Sequence, residues 1–280
     1  MRTHGLFARV ERLFDVEAFR DLWVLIAGCG SGGGQVALQL VMSGVRNFIL
    51  VDMDKLEVEN VIRHVCGLRY VGWRKTAALA DVLRDRNPEV EIRTFDEDVL
   101  GWPGLEYEVE RASVVVIGTD NEPSRYRLNE ACVKAGTPFT VGRVFTRGIG
   151  GEAYAYRHGT AGCLACLEGL LERTRFRDGV REIDLVPEEE RQKMYDLEID
   201  EIKDSPGLSV DIGFIAAFHT RLTLDALGDA AAERPKFMTP LEQNYFVWGN
   251  RTVHPFSKNF ELQRMSLQPQ EGCMVCGGQV

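Results

Sequence analysis

Trp23-Val24-Leu25-Ile26-Ala27 runs directly into Gly28-Cys29-Gly30-Ser31-Gly32-Gly33, and this join decides the fold. The first five residues form an apolar run bounded by glycine, the pattern of a parallel strand buried on both faces. Gly28, Gly30 and Gly33 form G-x-G-x-x-G, in which glycine permits a tight turn and close approach of backbone to phosphate. Helical spacing follows over Gly32 to Ser43, through Val36, Leu40 and Val41, and a helix N-terminus offers unpaired N–H groups to an anion. Asn47 to Val51 is a second buried strand. Asp52 ends it, 19 residues after Gly33, where a carboxylate accepts hydrogen bonds from ribose hydroxyls. Strand, glycine turn, helix and strand make a βαβ unit. The unit predicts a bound nucleotide. It does not choose between NAD and ATP, and the Walker pattern G-x-x-x-x-G-K-[ST] is absent.

Working outward, Trp73 to Arg86 reads as a helix with Ala77, Ala80 and Leu83 on one side, stopped by Asn87-Pro88. Val90 to Phe95 and Ser113 to Ile117 read as strands. Pro123 to Ala135 reads as a helix ended by Gly136, and Pro138 to Val141 begins another strand. The alternation predicts an α/β fold: a Rossmann-like doubly wound sheet, mostly parallel at first and mixed later. Glu152 to Tyr156 alternates like a half-exposed strand. Glu182 to Asp204 is densely acidic and reads as a solvated segment. Leu208 to Leu227 reads as a largely buried helix, and Tyr245 to Trp248 and Phe260 to Leu267 as late strands.

The 280 residues carry 33 basic and 42 acidic side chains, a formal charge of −9, which disfavours DNA or RNA as the main partner. No apolar stretch is long enough for a membrane span. The first 21 residues lack a signal-peptide core, so the expected location is cytoplasmic. Seven cysteines cannot all pair as disulfides. Four of them form Cys163-x-x-Cys166 and Cys273-x-x-Cys276, the ligand set of a tetrahedral four-cysteine zinc site. More than 100 residues separate the pairs, against about 15–20 in a zinc ribbon, so zinc is expected to staple the C-terminus to the middle of the chain. Four thiolates leave no open position for substrate.

Beyond the glycine turn come Asp54, Asn60, Arg63 and then Lys75 at a helix start, and Asp120 at a strand end where open α/β sheets place ligands. A triphosphate needs cations and a carboxylate for its metal ion, which favours ATP over NAD. At these residues the sequence resembles the adenylating enzymes that activate ubiquitin-like proteins, the ThiF/MoeB/HesA superfamily. The resemblance runs through Gly28-x-Gly30-x-x-Gly33, Asp52-x-Asp54, Asn60-x-x-Arg63, Gly72-x-x-Lys75 and Thr119-Asp120-Asn121. It continues through Gly150-Gly151, the cysteine pairs and Pro206-Gly207-Leu208 with Asp211, and covers about residues 20 to 278.

The resemblance implies that Asp52 binds the ATP ribose, that Asn60, Arg63 and Lys75 contact the phosphates, and that Asp120 coordinates magnesium, with Asp54 and Asn121 beside them. It implies attack on the α-phosphate by the C-terminal carboxylate of a ubiquitin-like or sulfur-carrier protein ending in Gly-Gly. It further implies a homodimer, in which an N-terminal arginine (Arg2, Arg9 or Arg12) completes the partner subunit's phosphate site. With no Pro/Gly/Ser linker, residues 1–280 read as a single adenylation domain. It comprises an N-terminal segment 1–20, an acidic crossover segment 168–206 and a C-terminal elaboration 207–280 that closes the zinc site. Many relatives carry a further cysteine in the crossover segment, but no cysteine lies between Cys166 and Cys273. The enzyme is therefore expected to stop at the adenylate or to pass it to a separate conjugating or acceptor protein. Of the leftover cysteines, Cys29 lies inside the phosphate turn, Cys132 reads as a buried small residue of a helix, and Cys66, although it follows Arg63 closely, is not expected to react. His64 reads as a structural histidine. The alternatives are adenylation of a small-molecule, peptide or tRNA-linked carboxylate, a non-catalytic nucleotide-binding scaffold, and an NAD-dependent dehydrogenase.

Overall fold

The computed structural model describes residues 5–11, 14–145, 148–174 and 207–277. The acidic run Glu182 to Asp204, with Arg2 and Arg12, lies outside them. Eight strands form one sheet: β1 (Trp23–Ala27), β2 (Asn47–Val51), β3 (Glu91–Phe95), β4 (Val114–Ile117), β5 (Phe139–Val144), β6 (Gly150–Tyr156), β7 (Tyr245–Gly249) and β8 (Glu261–Met265). Their order is β3-β2-β1-β4-β5-β6-β7-β8. The first five positions are parallel and the last three join antiparallel. From β1 the chain winds outward to β2 and β3, then returns to place β4 and β5 on the other side. The switch between β1 and β4 opens a crevice at their C-terminal ends.

Side-chain alternation sorts the sheet's two faces into two cores. Leu25, Ala27, Val115 and Ile117 pack on one face. Val24, Ile26, Val114 and Val116 pack on the other. Helices α1 (Ser31–Met42), α2 (Lys75–Arg86) and the long α6 (Ser209–Ala230) cover the second face. Helices α3 (Leu105–Arg111), α4 (Glu122–Ala135) and α5 (Leu164–Thr174) cover the first. Burial of each large aliphatic side chain contributes about 1.5–3 kcal/mol. Helix α4 follows its local rules closely: Asn121 caps it by accepting from the Ser124 amide at 2.9 Å, and Gly136 ends it in the left-handed region. No helix among the described residues is long and apolar enough to cross a membrane.

Three expectations change. Helix α2 starts at Lys75, and its buried residues are Thr76, Ala78, Leu79, Ala80 and Leu83 while Ala77 is exposed. Strand β6 is buried at all seven positions. Its alternation marks two different covers: Ala153 and Ala155 face Leu222 of α6, and Tyr154 and Tyr156 face the cysteine side. Helices α3 and α5 had no counterpart in the sequence reading. Helix α3 is short with four charged residues in seven, and α5 begins inside the cysteine motif, which the reading took as metal ligands alone.

Candidate active site

The glycine turn is set by backbone packing. Gly28 has φ +91°, and a Cβ there would lie 2.7 Å from the Gly118 carbonyl group. A Cβ on Gly33 would lie 2.0 Å from the Gly28 oxygen. Glycine is required at both positions because the turn folds back on β4 and on itself. Gly30 has nothing within 4 Å of its missing Cβ, so the turn is open toward the crevice there.

The crevice holds a cleft of about 360 Å3 at the switch point. Gly28, Gly30, Asp52, Asp54, Asn60, Arg63, Lys75, Asp120 and Asn121 all line it. Of the expected nucleotide residues only Gly33 does not, since it packs beneath the turn. Asp52 fixes the turn from below: it accepts from the Cys29 amide at 2.7 Å and from the Asp54 amide at 2.9 Å. Burial pushes its carboxyl above the usual carboxylate range, against those amides and Lys75. Lys75 Nζ sits 2.7 Å from Asp54. Burial alone would lower the lysine, but its hydrogen bond to Asp54 and the charges of Asp52, Asp54 and Asp120 together raise it. Lys75 is therefore held as a cation at the cleft wall.

Arg63 Nε is shielded from solvent and has no hydrogen-bond partner, an arrangement that an anion would relieve. Asn60 spends its oxygen on the Glu57 amide at 3.1 Å, in a capping box. Asp120 is exposed at the end of β4. An exposed carboxylate in that position suits magnesium, which keeps most of its ligands as water and substrate phosphate. His64, read from the sequence as structural, lines the cleft, and both its ring nitrogens are engaged: it bridges Cys29 O at 2.8 Å and accepts from the Cys66 amide at 3.0 Å. Burial holds its pKa below the ordinary value, so the ring is neutral with its proton on the nitrogen facing Cys29. Cys66 is fully buried, and burial pushes its thiol up to about 12. It does not line the cleft. Arg9 is exposed in the N-terminal turns and does not line it either.

The cleft continues past Asp120 along Arg125, Arg143, Val144, Gly207 and Ile212, and beside Asp52 along Glu97, Asp98 and Val99. Of these the sequence reading named only Gly207. Arg143 stands near the C-terminal end of β5, so the strand-end rule used for Asp120 could have found it.

On the far side of the first core, the Sγ atoms of Cys163, Cys166, Cys273 and Cys276 lie within 4.8 Å of one another. Neighbouring sulfurs are 3.5, 3.7 and 3.9 Å apart. A tetrahedral zinc with bonds of about 2.3 Å places its sulfurs about 3.8 Å apart, so the cluster fits. The Gln270 amide donates to Cys166 Sγ at 3.4 Å. Burial pushes the Cys163 and Cys166 thiols up, and a divalent cation would offset that by binding the thiolates.

Fold and cleft together define a doubly wound α/β protein with a glycine-lined cleft at its switch point and a distant four-cysteine cluster. The chain belongs to the ThiF family, whose pattern matches residues 6–258. Adenylyltransferase and sulfurtransferase MOCS3 of Sus scrofa is 35% identical over 145 residues, 51% of this chain and 31% of that protein. Ubiquitin-like modifier-activating enzyme 5 of Branchiostoma floridae is 28% identical over 181 residues, 59% of this chain and 45% of that protein. The aligned stretches thus span a third to a half of these relatives' lengths. A crystal structure of E. coli MccB with ATP shares the fold at a TM-score of 0.66 and 20% identity, covering 94% of this chain and 68% of MccB. PaaA shares it at a TM-score of 0.62 and 17% identity.

Proposed function

We propose that the protein is an ATP-dependent adenylyltransferase. It would join AMP to the C-terminal carboxylate of a ubiquitin-like or sulfur-carrier protein, with release of pyrophosphate. The observation that carries this reading is the meeting of Asp52, Arg63, Lys75 and Asp120 around one glycine turn in one cleft. The likeness to an adenylyltransferase and sulfurtransferase and to a ubiquitin-like modifier-activating enzyme supports it.

A carboxylate is already nucleophilic at neutral pH, so no general base is needed. The barrier is the approach of one anion to another, and fixed cations lower it. Asp52 takes the ribose. The turn amides and the N-terminus of α1 take the phosphates. Lys75 and Arg63 neutralise charge growing on the α-phosphate and the leaving pyrophosphate, with Asn60 as a further donor. Magnesium held at Asp120 would supply further charge neutralisation at the phosphates. Zinc at the four cysteines would serve the fold alone. No nucleophilic thiol lines the cleft among the described residues, which supports delivery of the adenylate to a separate acceptor protein. A cytoplasmic homodimer with a Gly-Gly-tailed partner completes the reading.

ATP–pyrophosphate exchange tests it, with wild type and Asp120→Ala against candidate ubiquitin-like proteins. Exchange should require an intact Gly-Gly tail and fall at least 100-fold in the variant. ATP binding with no exchange for any tail would point to a scaffold.

A further inference from the structure

Arg143 has its side chain only 5% exposed, yet it lines the cleft. Three carboxylates from three elements hold it. Glu152, its direct cross-strand neighbour on β6, lies 2.6 Å from Nε; Glu168 of α5 lies 2.6 Å from one terminal nitrogen; and Glu122 of α4 lies 3.2 Å from the other. Glu122 also binds Arg125 and stands two residues from Asp120. Glu168 stands two residues from Cys166, so the cysteine cluster anchors the turn that carries it.

Two features set this arginine apart from Lys75 and Arg63. Its charge is more than cancelled by its partners, which makes it a poor clamp for a free carboxylate. Burial works against its positive charge, but the three carboxylates outweigh that and hold it protonated. Its geometry is fixed from three directions, and each terminal nitrogen carries a second hydrogen beyond the one engaged. A rigid fork of donors with no net positive field suits a neutral acceptor. The adjoining wall, Val144, Gly207 and Ile212, is apolar and tight: a Cβ on Gly207 would lie 2.9 Å from Val144.

We propose that Arg143 is a specificity-determining residue that hydrogen-bonds the last peptide carbonyl of the acyl substrate, just behind the reacting carboxylate, and that Glu168 is its positioning residue. The proposal rests on the adenylation reading and deepens it: the substrate is a peptide chain with a slender tail, not a small carboxylic acid.

The test is adenylate formation from ATP, trapped with hydroxylamine, using triglycine and an analogue whose last amide is replaced by a trans-alkene. Wild type should use triglycine at least ten-fold better in kcat/KM. Arg143→Lys keeps a cation for the three carboxylates and should shrink that preference to near unity. The KM for ATP and the zinc content should stay at wild-type values, which a merely structural role would not spare. Glu168→Gln should shrink the preference in part, and it stands in if Arg143→Lys does not fold. Equal use of both probes by wild type overturns the proposal and leaves adenylation standing. So does a preference that survives in Arg143→Lys, or in Glu168→Gln where that variant stands in. Failure of both probes in a wild type that still shows ATP–pyrophosphate exchange with a Gly-Gly-tailed protein overturns the proposal, since the tail alone would not be read; failure of that exchange as well contradicts adenylation itself.

Discussion

Gly33→Ala is the substitution whose cost the structure fixes most tightly. The new methyl would lie 2.0 Å from the Gly28 oxygen, where ordinary contact begins near 3.4 Å. That oxygen is main chain and cannot rotate away, so the turn must retreat by about 1 Å. Overpacking of this kind costs about 1–3 kcal/mol of stability. A misplacement of about 1 Å in a positioning element costs about 100-fold in function. Gly30→Ala is the matched control, because nothing lies within 4 Å of its methyl. It should leave the unfolding midpoint unchanged and weaken ATP only through contact with the phosphates. Calorimetric titration with ATP and thermal unfolding read both effects. Gly33→Ala should lower the midpoint and weaken ATP roughly 100-fold. A Gly33→Ala protein with wild-type midpoint and wild-type ATP affinity would refute the packing argument.

Three other outcomes follow from the buried groups. His219 is bonded to Thr140 at 3.0 Å, and burial lowers its pKa to about 4. The unfolded chain therefore binds the proton more tightly, and up to about 3 kcal/mol of stability present above pH 6.5 is lost as pH falls toward 4; His219→Gln should flatten that slope in denaturant titrations. Cys276→Ser or strong chelation should remove one zinc per chain by atomic absorption and lower the unfolding midpoint by roughly 10 °C or more. Cys66→Ser should leave adenylation intact, and mass spectrometry should find no thioester on Cys66 in the wild type, since a buried thiol raised to about 12 is not a nucleophile at neutral pH.

The parallel half of the fold was legible because its strands are unbroken apolar runs bounded by glycine and aspartate. The cleft at the switch point was legible because its glycines and cations stand at strand ends, where the sequence places them beside apolar runs. Strand β6 was misread as half-exposed because alternation alone cannot say that both faces are covered. Arg143 escaped because its partners Glu122, Glu152 and Glu168 are scattered in sequence and meet only when β6 pairs with β5 and α5 docks. Ala77 shows the limit of helical periodicity in an alanine-rich segment, where burial has no large side chain to announce it.

The central claim, attack by a carboxylate on the α-phosphate, is tested most directly by isotope transfer. The substrate tail would carry 18O in its terminal carboxylate, and AMP, pyrophosphate and any phosphate would be analysed after discharge of the adenylate. The account predicts one labelled oxygen in AMP and none in pyrophosphate. Label in inorganic phosphate with ADP as co-product, or unlabelled AMP, would contradict it.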